Sequence, residues 1–207
     1  MLHRKLVPML ALTAVSALSC AVHLEPRPTS PSAVASAPAP QAAAVDPALA
    51  PVRAQLERYA RRSGLTGGEL DVLARTLVEE SRRHRLDPQL VLAVMHVESR
   101  YDTFAVSEKN AMGLMQILPS TGEWLAGRIG VPWNGPHSLF DPLVNVQLGV
   151  AYLRQLVDRY DGNLSAALAA YNWGPGHIDG RLRQGTPLPV DYKDLVLRAY
   201  DRGTKSS

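Results

Sequence analysis

Apolar positions recur at three- and four-residue spacing through much of the second half of the chain. Leu143, Val146, Val150, Leu153, Val157 and Tyr160 are spaced 3-4-3-4-3, the period of one buried helix face. Asp141-Pro142 opens that stripe as an N-cap followed by proline at the first helical position, and Asp161-Gly162 closes it. Asp87-Pro88 repeats the opening device ahead of a helix expected to run to about Tyr101. Thr66 with Glu69 forms a capping box before Leu70, Leu73 and Leu77. Asn163 caps a helix from Leu164 to Trp173, which ends at Gly174-Pro175-Gly176, and a last helix is expected from about Val190 to Arg202. Gly149 costs helix propensity within the long stripe, which predicts a close helix contact there. No alternating strand pattern and no internal repeat appears, so the reading is a compact all-α domain of seven or eight short helices.

The first fifty residues follow a different pattern. Arg4 and Lys5 precede a run from Leu6 to Leu18 broken only by Pro8, Thr13 and Ser16. About 13 apolar residues are too few to span a bilayer, which takes roughly 20, but they fit the layout of a secretory signal peptide. The exit, Ala17-Leu18-Ser19-Cys20, resembles a bacterial lipoprotein cleavage box, which implies lipid attachment at Cys20 and cleavage just before it. Ala17 departs from that pattern, which prefers leucine or another branched residue, and ordinary secretion with cleavage after Val15-Ser16-Ala17 is the alternative. Ala21 after the cysteine is similar to lipoproteins sent to the outer membrane of Gram-negative bacteria, which would place the protein in the periplasm. Residues 21–51 hold seven prolines, many alanines and only Glu25, Arg27 and Asp46 as charges. Such a tract forms no core and acts as a semi-extended tether. The expected organisation is a signal peptide over 1–19, a Pro/Ala-rich tether over 20–51 and a helical domain over 52–207.

Composition narrows the function classes. The 207 residues are 46% hydrophobic, 20% charged and 6% aromatic, which suits one globular domain. A net charge of +3, from 22 basic and 19 acidic residues, does not suggest a nucleic-acid binder. Cys20 is the only cysteine, so neither an internal disulfide nor a Cys-rich zinc site can form. The six histidines are scattered without a His-x-x-x-His pair. No cofactor and no metal is therefore expected.

The helix from Pro88 carries the candidate chemistry. Leu90, Val94, Val97 and Tyr101 form one stripe, while Val91 and Met95 share the face of Glu98. Apolar neighbours raise a carboxyl pKa by disfavouring its charged form, and the negative end of the helix dipole acts in the same direction. A glutamate kept protonated near neutral pH is what general-acid catalysis requires. Taken alone, a glutamate at the edge of an amphipathic helix with its head in water is the plainer reading.

Three further segments change that balance. Glu98-Ser99 is followed by Gly113-Leu114-Met115-Gln116-Ile117-Leu118-Pro119 and then by Ala170-Tyr171-Asn172-Trp173-Gly174. In this order they resemble the soluble lytic transglycosylase family of peptidoglycan-cleaving enzymes. Asn145 to Leu153 also looks like the family's long helix, and the resemblance covers roughly residues 85–200. It implies a lysozyme-like helical fold and cleavage of the bond from N-acetylmuramic acid to N-acetylglucosamine. It implies that Glu98 is the catalytic acid and base, that Ser107 hydrogen-bonds it, and that Gln116 and Tyr171 line a glycan groove. Ser99, Met115 and Asn172 complete the set of expected binding or supporting residues. Leu118 stands where some members carry a methionine at the cleft. Tyr192 matches a tyrosine that opens the last helix, whereas Leu188 replaces a glutamate common in relatives.

Other marked residues have duller readings. Gly113 serves a backbone need, and Met115 divides evenly between core and cleft. Asn172 is expected to brace its turn, and Trp173 to pack beneath Gly-Pro-Gly rather than stack on a sugar. His96 and His177 are expected at the surface or with satisfied partners, and Arg82, Arg83 and Arg85 on a solvated face. Asp102 and Glu108 are the only nearby carboxylates that could make the enzyme a hydrolase of the muramidase or chitinase type. A non-catalytic cell-wall-binding lipoprotein is the remaining alternative. The expected partners are peptidoglycan strands and, through Cys20, a membrane.

Overall fold

The computed structural model describes residues 46–205. The signal-peptide segment, Cys20 and all but the end of the Pro/Ala tether lie outside the described residues. Those described form nine α-helices: α1 Leu49–Arg58, α2 Ala60–Ser63, α3 Gly67–Arg83, α4 Pro88–Glu98, α5 Pro119–Ile129, α6 Pro142–Arg159, α7 Leu164–Trp173, α8 Pro175–Arg183 and α9 Asp191–Lys205. A 3-10 helix, Pro136–Phe140, precedes α6. Among the described residues there is no strand, only isolated bridges pairing Val106 with Met112 and Met112 with Ile117.

Four start signals in the sequence have their expected geometry. Asp87 accepts from Gln89 N–H, Asp141 from Leu143 and Val144 N–H, and Asn163 from Ala166 N–H. Glu69 reaches back to Thr66 N–H at 2.7 Å as the far half of the capping box. Helix α1 starts at Leu49, inside the stretch expected to be tether. Pro51 is tolerated because the first-turn N–H groups have no partner within the helix. Asp46 anchors this start by accepting from Ala48 N–H and pairing with Arg82.

Helix α4 is shorter than expected. Ser99 is its C-cap, and Arg100 and Tyr101 turn to left-handed φ values of 54° and 67°. Two consecutive non-glycine residues there cost on the order of 1–2 kcal/mol each. The reversal carries Tyr101 back into the core, where it is 1% exposed and stacked on Tyr59 at 4.5 Å. Its hydroxyl donates to Leu92 O and accepts from Gln55 Nε2, so the buried phenol keeps its partners. Tyr101 is thus not the last rung of the α4 stripe, and Asp102 does not follow Glu98 on a helix face. Asp102 instead accepts from Phe104 N–H in a turn.

The main core gathers α1, α3, α4, α6 and α9 around Leu73, Leu77, Leu92, Val94, Met95, Leu148 and Leu153. Helix α6 is buried well beyond its predicted stripe, since Leu148 and Leu156 are also enclosed. Gly149 makes the close contact its sequence position predicts, but with a loop side chain rather than a helix. A Cβ there would lie 2.3 Å from Met115 Sδ. The Gly174-Pro175-Gly176 turn is a single-residue link, because Pro175 already starts α8.

Candidate active site

Glu98 is the last residue of α4, at the point where the chain turns away. Burial pushes its carboxyl pKa up to about 7. One hydrogen bond opposes that shift: Tyr192 Oη of α9 donates to Glu98 Oε1 at 2.5 Å. Tyr192 lies parallel to Tyr171 of α7, with ring centroids 6.4 Å apart and planes 9° apart. Burial and then the charge of Glu98 raise both phenol pKa values well above normal, so both remain neutral hydroxyls. Tyr152 of α6 supports Tyr171 from behind at 5.4 Å.

The loop between α4 and α5 forms the facing wall. Ser99 Oγ donates to Leu114 O at 2.8 Å, tying the end of α4 to it. Asn145, fully buried in α6, organises the rest. Its Oδ1 accepts from Met115 N–H, and its Nδ2 donates to Met112 O and Leu139 O. Gly113 closes against this network at φ 75°, where a Cβ would stand 2.2 Å from Leu139 O. Gln116, at φ 48°, donates its side-chain amide to Ala105 O and Gly113 O. Tyr171 Oη donates to Met115 O at 2.8 Å, joining α7 to the same loop.

Between these walls lies a cleft of about 380 Å³ lined by Glu98, Ser107, Glu108, Lys109, Ala111, Gln116, Leu118, Tyr171 and Asn172. Five of the seven residues expected at a site, Glu98, Ser107, Gln116, Tyr171 and Asn172, therefore share one cavity. The other two do not reach it. Met115 is fully buried against Gly149 because its side chain fills the gap the glycine leaves. Ser99 acts beneath the cleft through its bond to Leu114.

Three expected roles differ in detail. Ser107 lines the cleft with Glu98 but is not bonded to it; its Oγ accepts from Ala111 N–H and closes the local turn. Asn172 is exposed in the cleft and does not brace its turn. Trp173 is 52% exposed and stacks on His177 at 5.3 Å instead of packing beneath Gly-Pro-Gly. Leu188 is half-buried against the smaller apolar cluster of α6, α7 and α8. Two contributors were missing from the expected site. In the sequence Tyr192 reads only as a match to the tyrosine that opens the last helix, and Asn145 only as the start of the segment resembling the family's long helix. An asparagine within a run of buried positions is the signal that could have revealed the second, since such a group needs partners.

The family model for the transglycosylase SLT domain matches residues 76–187, more than half of the chain. The chain belongs to this family. Its fold is the lysozyme-like helical fold of the SLT transglycosylases. Among curated relatives, a membrane-bound lytic murein transglycosylase C from Mannheimia succiniciproducens is 38% identical over 111 residues, 48% of this chain and 30% of the relative. A putative soluble lytic murein transglycosylase from Haemophilus influenzae is 40% identical over 87 residues, 42% of this chain and 15% of the relative. The chain thus spans less than a third of either relative. An inactive mutant of the lytic transglycosylase Slt from Pseudomonas aeruginosa superposes with a TM-score of 0.51 at 32% identity, over 63% of this chain and 21% of that one. The 70 kDa soluble lytic transglycosylase of Escherichia coli gives a TM-score of 0.58 at 23% identity, over 74% and 30%, a likeness of fold. Among the described residues no group of histidine, cysteine, aspartate or glutamate could hold a metal ion.

Proposed function

We propose that this SLT-domain protein is a peptidoglycan lytic transglycosylase that cleaves the β-1,4 bond from N-acetylmuramic acid to N-acetylglucosamine and leaves 1,6-anhydro ends. The observation that carries the reading is one buried carboxyl in a cleft, with a pKa pushed up to about 7. Near neutral pH such a group is protonated in part of the molecules and ionised in the rest, so it can serve as acid and then as base. Glu98 gives its proton to the bridging oxygen while an oxocarbenium-like state develops on the muramic acid. The resulting carboxylate, stabilised by Tyr192, takes the proton from the C6 hydroxyl of the same sugar, whose oxygen closes onto C1. The acceptor is already in the molecule, so its effective concentration is high. The substrate N-acetyl group helps stabilise the cation. Tyr171, Gln116 and Asn172 line the path of the glycan, and Ser99 and Met115 hold the loop beneath it.

Glu108 gives hydrolysis a specific footing, because it lines the same cleft as Glu98 and is a second carboxylate that could act on water. Mass spectrometry of peptidoglycan digested with the full chain separates the two readings. Anhydro-ended muropeptides from wild type, with none from Glu98→Gln, are expected. Reducing ends would establish hydrolysis and shift attention to Glu108. No product from a folded wild-type protein would leave a cell-wall-binding role.

The N-terminal pattern and the membrane-bound designation of a relative support a periplasmic, membrane-associated localisation. Lipid on Cys20 would hold the enzyme at the periplasmic face of the outer membrane, with the Pro/Ala segment as tether. Cys20→Ser should move the protein from the membrane fraction to the soluble one; unchanged membrane retention would refute the anchor.

A further inference from the structure

The three tryptophans of the chain have different surroundings. Trp133 packs against the main core. Trp124 of α5 is 44% exposed, but the guanidinium of Arg128, one turn on, lies over its ring at 4.9 Å. Trp173 ends α7 and is 52% exposed. Tryptophan has a large apolar surface that favours burial, and it is enriched where a partner completes that burial.

The exposed indole is held in place. His177 of α8 stacks on it, with ring centroids 5.3 Å apart and planes 23° apart. Both rings stand on fixed backbone. Gly174, at φ 82°, is the single link between α7 and α8, and its N–H donates to Ala170 O at 2.8 Å. Ile178, next to His177, is fully buried. A braced ring with only two side-chain torsions loses little freedom when a ligand settles on it.

Its position continues the cleft. Tyr171 and Asn172 line the cleft, and Trp173 is the next residue on the same helix, outside that lining. Consecutive Cα atoms are about 3.8 Å apart, so the indole stands at the rim, where the α7 wall ends. A β-linked hexosamine ring carries its bulky substituents equatorially. Its axial C–H hydrogens therefore form an apolar and slightly positive face, which suits the negative face of an indole. The Asn172 amide beside it offers a donor and an acceptor to an acetamido group.

We infer that the stacked pair of Trp173 and His177 is a sugar-stacking subsite at the rim of the cleft, which takes the apolar face of an N-acetylhexosamine ring other than the ring cleaved at Glu98. The inference rests on the reading of the cleft as the path of a glycan, but not on the course of the reaction. It is tested in the full chain carrying Glu98→Gln, which holds a strand without cutting it. The probe is soluble glycan strands of alternating N-acetylglucosamine and N-acetylmuramic acid, stripped of peptide. Calorimetry reads the affinity, and tryptophan emission reads the place. Adding Trp173→Ala should weaken binding at least fivefold, whereas Trp173→Phe, which keeps a ring, should hold it within about threefold. The emission change on saturation should persist in Trp124→Phe and disappear in Trp173→Phe. Thermal melts establish that each variant is folded. Equal binding by a folded Trp173→Ala variant, or an emission change lost with Trp124→Phe instead, would overturn the subsite and leave the reading of the cleft intact. No binding by the Glu98→Gln protein itself would overturn the glycan reading of the cleft and the subsite with it.

Discussion

Glu98 couples acid strength to stability. Its pKa is near 4.5 in an unfolded chain and about 7 in the folded one. The folded protein therefore holds the proton more tightly, and stability falls as pH rises between those values. The contribution is complete below about pH 4.5 and has been lost once pH passes about 7. A difference of that size corresponds to about 3 kcal/mol. Glu98→Gln, neutral at every pH, should therefore be close to wild type in stability at pH 4.5 and more stable by up to about 3 kcal/mol at pH 8. Urea unfolding at the two pH values checks this, and an equal effect at both would mean that the carboxyl is not strained by burial. Tyr192 acts in the opposite sense, because its hydroxyl favours the carboxylate. Tyr192→Phe should raise the Glu98 pKa further, move the alkaline limb of the pH–rate profile upward and lower turnover about tenfold, as loss of a charge-assisted bond worth ~1.5 kcal/mol implies. A profile that stays in place would separate Tyr192 from the acid. The rise at Glu98 was legible in the sequence from Val91 and Met95. The opposing bond was not, because nothing local in a chain brings together residues 94 positions apart.

At the scale of elements, the helices with strong chemical starts were readable and those without were not. Asp87, Asp141 and Asn163 cap the helices their positions predict, because a cap is decided within three or four residues. The end of α4 is not legible in the spacing, because Tyr101 continues the apolar pattern while its ring is claimed by Tyr59, Leu92 and Gln55 from the other side of the bend. Gly149 points to a helix contact for the same reason: a glycine in a helix stripe reports that something lies close, not what it is. The partner being Met115 leads to a prediction. Gly149→Ala alone should destabilise by about 1–3 kcal/mol, since its Cβ would meet Met115 Sδ at 2.3 Å and Cβ at 2.7 Å. Met115→Ala alone should cost about 2–5 kcal/mol through the cavity it leaves. The double variant should be more stable than the sum of the two by at least about 1 kcal/mol, as the new methyl occupies part of the emptied space. Strict additivity in denaturant unfolding would show that the two residues do not compete for one volume. Because Tyr171 donates to Met115 O, the Gly149→Ala variant should also lose activity although it touches no cleft residue.

The whole molecule is larger than its family signature. The match ends at residue 187, whereas Tyr192, Val196 and Ala199 of α9 are buried in the core that α4 also builds. The family-model match therefore stops short of the helix whose Tyr192 bonds Glu98. Burial of an aliphatic or aromatic side chain contributes roughly 1.5–3 kcal/mol, so these three residues together supply on the order of 5 kcal/mol. That is comparable to the net stability of an ordinary domain. A chain ending at residue 187 should thus melt at least 10 °C lower or lose cooperative unfolding altogether. In whatever fraction stays folded, Glu98 should become open to water and its pKa should fall from about 7 toward the usual carboxylate range, despite the loss of the Tyr192 bond. Desolvation is the larger of the two influences on Glu98, so a truncation that hydrates the carboxyl is expected to lower the pKa, whereas removing only the hydroxyl is expected to raise it. The opposite signs of the truncation and Tyr192→Phe, read by NMR titration of the Glu98 carboxyl, distinguish α9 as a cover from α9 as a hydrogen-bond donor. Shifts of the same sign in both would mean that α9 contributes through Tyr192 alone.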